Sequence, residues 1–349
     1  MVATYNRAGL LKRMLDALDS QDLDPAEFEV IVVDDGSSDE TPSVLESAQP
    51  RFSLRTFRQS NQGPAAARNL AIANAAADVI ITIDDDVVPA TDLLRRHLAL
   101  QETEKSSAAM GMMVLPPNKH LSPWLEWEAV SLDKQYRAMM RGDWVPTPRQ
   151  FYTANASFRK EDAIKAGLFD TTFRRAEDVE LAYRLRDIGV SFHFLPDAIV
   201  YHEPNRSYAD WLRIPWLYGY YDLVMARDKG REYILGLVQR EFAQRNGTLR
   251  AAGRILVGRQ RLLSGVVSGA SGLATASARA GLRRPSLALY SAVFNLQYWQ
   301  GICEAAGEGT AFWEVIGGQK TRMRQPEARQ ETALLPGLAS STNNKDGVE

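Results

Sequence analysis

Charge-free, β-branched runs that end in carboxylates set the pattern of the first hundred residues. Val79-Ile80-Ile81-Thr82-Ile83 is short, apolar and uninterrupted, the pattern of a buried strand, and it stops at Asp84-Asp85-Asp86. Glu29-Val30-Ile31-Val32-Val33 repeats the design and stops at Asp34-Asp35, followed by Gly36-Ser37-Ser38. Residues 54–58 and 110–115 predict two more strands. Helical spacing fills the intervals. Leu10, Leu11, Met14, Leu15 and Leu18 predict a helix over residues 7–20, with Asn6 as its cap. Ser37 and Ser38 are placed to cap a helix near residues 39–48. Asn61-Gln62-Gly63-Pro64 is a turn, and Ala65-Ala66-Ala67-Arg68-Asn69-Leu70 opens a helix whose small side chains let it lie close to a sheet. Residues 91–104 predict a further helix. Repeated strand–helix units predict an α/β fold with a mostly parallel sheet flanked by helices.

The pattern changes after Pro116-Pro117. Residues 124–140 are rich in aromatics and Met and predict a helix or lid; residues 151–158 predict a strand. Residues 176–188 predict a helix stopped by Gly189, with Glu177 and Asp178 in its first turn, where the helix dipole favours carboxylates in any case. Alternating apolar residues over 190–201 lead to His202. Residues 209–226 and 232–244 predict helices. Residues 262–282 and 286–306 are apolar-leaning but carry Ser, Gly, Gln and Arg, so neither has the sustained run of a membrane-spanning helix. Arg279, Arg283 and Arg284 between them are placed to meet anionic lipid head groups; a helical hairpin in water is the other reading. Residues 318–349 are polar and predict a disordered tail.

Three carboxylates at one strand end cannot be core, because unpaired buried charge is too costly. Open α/β sheets bind ligands just outside the carboxyl ends of their strands. Clustered hard oxygens there suit Mg²⁺ or Mn²⁺, ions that accompany phosphorylated substrates. An acidic solvated turn is the alternative for either cluster alone. Asp34 and Asp35 together with Asp84 and Asp86 are more specific, since both strand ends point into one crevice. Arg68, early in its helix, can reach a diphosphate or pair with an acidic strand end. A hydrophobic share of 45% fits a globular protein, and a net charge of −2 argues against nucleic acid as a partner. Cys303 is the one cysteine of the 349 residues, which excludes an intramolecular disulfide and fits a reducing, cytoplasmic setting.

Five segments in order carry a family resemblance: Thr4-Tyr5-Asn6-Arg7, Val33-Asp34-Asp35-Gly36-Ser37, Asn61-Gln62-Gly63 with Ala67-Arg68-Asn69, Asp84-Asp85-Asp86, and Glu177-Asp178 with Leu181-Ala182-Tyr183-Arg184-Leu185. The chain resembles family 2 glycosyltransferases over residues 1–222. The resemblance implies a GT-A fold, Rossmann-type, with a nucleotide-sugar-binding half at 1–115 and an acceptor-binding, catalytic half at 116–222. A helical extension at 223–317, in peripheral membrane contact through 262–306, and the tail complete the expected organisation. By that resemblance Thr4, Tyr5, Asn6, Arg7, Asp34, Asp35, Asn61, Gly63, Arg68, Asp84 and Asp85 bind the nucleotide. Asp84, Asp86 and His202 hold Mn²⁺ or Mg²⁺. Asp178 is the general base, and Glu177 its neighbour or an acceptor ligand. The activity implied is metal-dependent, inverting transfer of a sugar from a nucleotide-diphosphate sugar to a carbohydrate or lipid-linked acceptor, in polysaccharide or glycolipid synthesis. No Gln-x-x-Arg-Trp follows the Glu-Asp helix, which favours single transfer over processive synthesis. Two rivals are a sugar-phosphate nucleotidyltransferase, for which no Gly-rich, basic phosphate loop stands near the start, and a non-catalytic sugar- or lipid-binding scaffold. Only Met1-Val2-Ala3 stand where the family has a full first strand, so the expectation is that translation begins upstream, with no signal peptide before Thr4.

Overall fold

A strand buried on both faces needs two cores, and β2 has them. The computed structural model describes residues 1–116, 120–202, 204, 206–307 and 316; the tail expected at 318–349 lies outside them. In chain order the first elements are β1 (Val2–Thr4), α1 (Ala8–Asp19), β2 (Glu29–Asp34), α2 (Thr41–Ser47), β3 (Ser53–Arg58) and α3 (Pro64–Asn74). β1, β2 and β3 run parallel, with Thr4 beside Asp34 and Asp34 beside Arg58. Ile31 and Val33 of β2 pack with Ala65, Ala67, Ala71 and Ile72 of α3. Val30 and Val32 face the other way, onto Leu11, Met14 and Leu15 of α1. The small residues of α3 thus do what their size predicts.

β4 (Val79–Ile83), β5 (Val87–Pro89), α4 (Leu93–Thr103) and β6 (Ser107–Val114) follow, then α5 (Pro123–Met140), β7 (Asn155–Arg159), α6 (Lys160–Lys165), α7 (Glu177–Asp187) and β8 (Ser191–His202). They build a mixed sheet in the order β4-β7-β6-β8-β5. β7 runs antiparallel to both β4 and β6, β5 antiparallel to β8, and β6 parallel to β8. Met1 links the two sheets: its carbonyl accepts from Ile83 N at 3.2 Å, and its ammonium donates to Ile81 O at 2.6 Å. Burial pushes that ammonium down to about 5. β1 therefore lies between β2 and β4, and the three strands end at the same edge.

Three local expectations change. Asn6 does not cap α1. Its backbone sits at φ 53° and its Oδ1 accepts from Ser38 N at 2.7 Å, while Asp39 Oδ2 takes Ala8 N at 3.1 Å. Ser37 and Ser38 do not cap α2. Ser37 Oγ accepts from Asn6 N, and α2 starts at Thr41, whose N–H goes to Asp39 Oδ1. Asp39, on the loop after β2, thus serves the starts of both α1 and α2, which local sequence cannot specify. The strand expected over 151–158 begins only at Asn155, after a turn at Pro148–Gln150 closed by Thr147 and Gln150.

The chain divides into two compact units, residues 1–120 with 136–205, and residues 121–135 with 206 onward. The second is helical: the start of α5, then α8 (Tyr208–Asp228), α9 (Tyr233–Gln244), α10 (Gly247–Leu256), α11 (Gln260–Arg279) and α12 (Arg283–Ala306). α8 and α12 cross with backbones in contact. A Cβ on Gly219 would lie 1.9 Å from Tyr298 O, and one on Gly301 1.9 Å from Trp216 O, so only glycine fits. Trp127 lies 4.8 Å from Phe294 and edge-on to Trp211, in the core of this unit. Among the described residues, no helix is long and apolar enough to cross a membrane.

Candidate active site

Every candidate side chain lies in the first unit, on the ends of β1, β2, β4 and β8 and at the starts of α3 and α7. Asp35 is buried, and it organises the loop after β3. Its Oδ1 accepts from Gln59 Nε2 and Gln62 N, and its Oδ2 accepts from Gly63 N at 2.8 Å. Gly63 sits at φ +93°, a backbone conformation that favours glycine. Asn61 remains exposed. Asp34 Oδ1 accepts from Ser37 N at 2.8 Å, and Oδ2 faces Arg58 Nε at 3.4 Å without a hydrogen bond. Tyr5 is exposed beside this edge.

The triple aspartate divides three ways. Asp85 is buried; its Oδ2 accepts from Thr4 Oγ1 at 2.7 Å and its Oδ1 from Arg7 Nη1 at 2.9 Å. Burial outweighs both partners and pushes its carboxyl up to about 6. Asp86 Oδ2 accepts from Arg7 at 2.7 Å and lies 3.7 Å from His202 Nε2. Burial opposes the Asp86 carboxylate, but His202 and Arg7 overcome it and hold the group well below the usual range. β5 pairing with β8, Val87 opposite His202, brings the imidazole there. Asp84 instead turns to Arg68, whose Nη2 donates to its Oδ1 at 3.1 Å.

Arg68 is the hub. Its Nη1 donates to Glu177 Oε1 at 2.6 Å, joining α3 to the first turn of α7 across 109 residues of sequence. Asn69 beside it exchanges two hydrogen bonds with the backbone of Phe169 and so fixes the approach to α7. The guanidinium is buried, which alone would lower its proton affinity; Glu177, Asp84 and Asp178 raise it beyond the ordinary value. Asp178 is half-buried. Burial, then the neighbouring Glu177 carboxylate, push its carboxyl up to about 7, against the pull of Arg68. A carboxyl that changes charge near neutrality at a crevice is suited to moving protons.

Sequence reading missed Arg58, Gln59 and Arg174, polar residues beside the flagged strand ends; their position just after β3 or before α7 was the available signal. Among the described residues no three of His, Cys, Asp and Glu converge as a ready metal cluster. The nearest approach is the Asp86–His202 pair, with Asp84 held apart by Arg68.

The profile of the family described as "Glycosyl transferase family 2" matches residues 1–166. An uncharacterized glycosyltransferase, YfnE, of Bacillus subtilis (strain 168) is 29% identical over 255 residues, covering 59% of this chain and 64% of its own length. A validoxylamine A glucosyltransferase of Streptomyces hygroscopicus subsp. limoneus is 30% identical over 227 residues, covering 54% of this chain and 48% of its own. The chain thus spans between about half and two thirds of the length of these two relatives. In fold it is similar to the mannosyltransferase PcManGT from Pyrobaculum calidifontis, solved with GDP-Man and Mn²⁺, at TM-score 0.58 and 23% identity over 85% of this chain and 86% of that one. Residues 1–166, which carry the acidic strand ends described above, are thus a glycosyl transferase family 2 region, and that match ends before α7.

Proposed function

We propose that the chain transfers one sugar at a time from a nucleotide-diphosphate sugar to an acceptor hydroxyl, with inversion, in polysaccharide or glycolipid synthesis. The observation that carries this reading is the Arg68 bridge: one guanidinium ties the acidic end of β4 to a helix start bearing a carboxyl pushed up to about 7. A donor side and a proton acceptor thereby share one crevice.

Thr4, Tyr5, Asn6, Arg7, Asp34, Asp35, Asn61 and Gly63 would frame the base and ribose within residues 1–115, with Asp84, Asp85 and Arg68 nearer the diphosphate. Asp35 acts by shaping the loop. The acceptor would be held within residues 116–222, where Glu177 positions it. Its hydroxyl oxygen attacks the anomeric carbon as the bond from that carbon to the diphosphate oxygen breaks. Asp178 takes the hydroxyl proton, and one displacement inverts the centre.

Carboxylates of the crevice outnumber the arginines that pair with them, so an arriving diphosphate needs added positive charge. The carboxylate–imidazole pair Asp86–His202 has the donor chemistry for Mn²⁺ or Mg²⁺ and would hold the ion, with Asp84 able to join on leaving Arg68. When bound, the ion neutralises charge on the departing nucleotide diphosphate. The Mn²⁺ and GDP-Man bound to PcManGT support this choice.

Asp178→Asn tests the assignment. Transfer should fall about 10²- to 10⁴-fold while nucleotide-sugar binding, read by calorimetry, is kept. Unchanged transfer removes Asp178 from the chemistry.

A further inference from the structure

From Phe242 to Cys303 the chain carries eight arginines and neither a carboxylate nor a lysine. The same stretch holds Ile255, Leu262, Val266, Leu273 and Leu282, each between 45% and 59% exposed. α11 organises them. Leu263, Val267, Ser271, Ala274 and Ser277 are its buried residues. At 3.6 residues per turn, Leu262, Val266 and Leu273 fall within about 40° of one another, outside that buried stripe. No charged residue interrupts α11 from Leu262 to Ala278, and exposed Arg259, Arg261, Arg279 and Arg284 stand at its two ends.

We infer that this outer face of α11 docks in the plane of an anionic lipid surface. An apolar stripe flanked at both ends by guanidinium groups matches the boundary between acyl chains and acidic head groups. At 20 residues α11 has the length to span a bilayer but is not apolar enough to do so. A second copy of the chain fits less well. Two-fold pairing of this face would bring the arginines at one end of α11 against those at the other end of its mate, and the stretch from Phe242 to Cys303 has no carboxylate to receive them. Arg283 is already paired with Glu126 and is left out of the surface.

The test is sedimentation of the full chain with vesicles of phosphatidylcholine alone or with about one third phosphatidylglycerol. Binding should require the anionic lipid and weaken with salt. Arg279→Ala and Arg284→Ala should each lower it about fivefold, the equivalent of about 1 kcal/mol per arginine near such a surface. Leu262→Gln with Leu273→Gln should lower it about tenfold or more. Both sites are exposed, so melting of this variant should match the parent. Equal binding to neutral vesicles, or none to anionic vesicles at low salt, overturns the inference. A dimer in solution that the double variant dissociates, without vesicle binding by the parent, assigns the face to a second copy instead.

Discussion

Asp178→Asn should make the protein more stable above neutrality while it disables transfer. The folded-state carboxyl is pushed up to about 7 by burial and by Glu177, whereas the unfolded value is about 3.9. Between those values the folded state holds a proton that the unfolded state has lost. The contribution of Asp178 is therefore fully present below about pH 4 and is lost as pH rises through about 7. At about 1.4 kcal/mol per pH unit, the loss by pH 8 is at most about 4 kcal/mol, and less where water reaches this half-buried group. Asparagine has the shape of the protonated acid and does not ionise. Urea denaturation at pH 4.5, 6 and 8 should show the variant ahead by about 1 kcal/mol or less at the acid end and by about 2–4 kcal/mol at pH 8. The parent's kcat/KM should rise with pH to a plateau above about 7, as a base requires. A gap that does not change with pH, or a variant that loses stability at pH 8, refutes the assigned environment.

Asp86→Ala should abolish the gain in UDP or GDP affinity that Mn²⁺ confers, read by calorimetry with and without EDTA, and leave the fold intact at this strand end. Arg68→Met should cost about 3–5 kcal/mol in urea denaturation, because Glu177 is left buried without its partner. Lysine at position 68 should not restore it, since a single ammonium lacks the fork that reaches Glu177 and Asp84 together.

The acidic strand ends were legible because burial energetics leave few uses for Asp84-Asp85-Asp86 after an apolar strand. The helices α1, α3, α4, α7, α8 and α9 followed from period and from stops such as Gly189. The strand β7 was legible only as a strand: nothing local says that it runs antiparallel between β4 and β6. The reach of Arg68 to Glu177 was equally hidden, since it depends on how α7 docks. α10 was missed because glycines at 247 and 253 break up a short helical spacing of Leu249, Ala252 and Leu256. The caps failed for a related reason. Asn6, Ser37, Asp39 and Thr41 are all competent cap residues, and which one serves which helix is decided by the approach of two loops.

Two carboxylates in the first turn of α7 have an innocent reading, since a helix start favours negative charge. The magnitudes decide against it as the full account. An exposed carboxylate there gains about 0.3–1 kcal/mol from the dipole, which would hold its pKa down by less than one unit. Asp178 moves the other way, and by more. Glu177 is buried against Arg68 rather than left in water, where the dipole's benefit would come without desolvation. A helix start shaped for stability alone would expose both groups and let them ionise. This one holds one carboxylate in a buried ion pair and pushes the other up to about 7, an arrangement that costs stability and suits the proton acceptor proposed for Asp178.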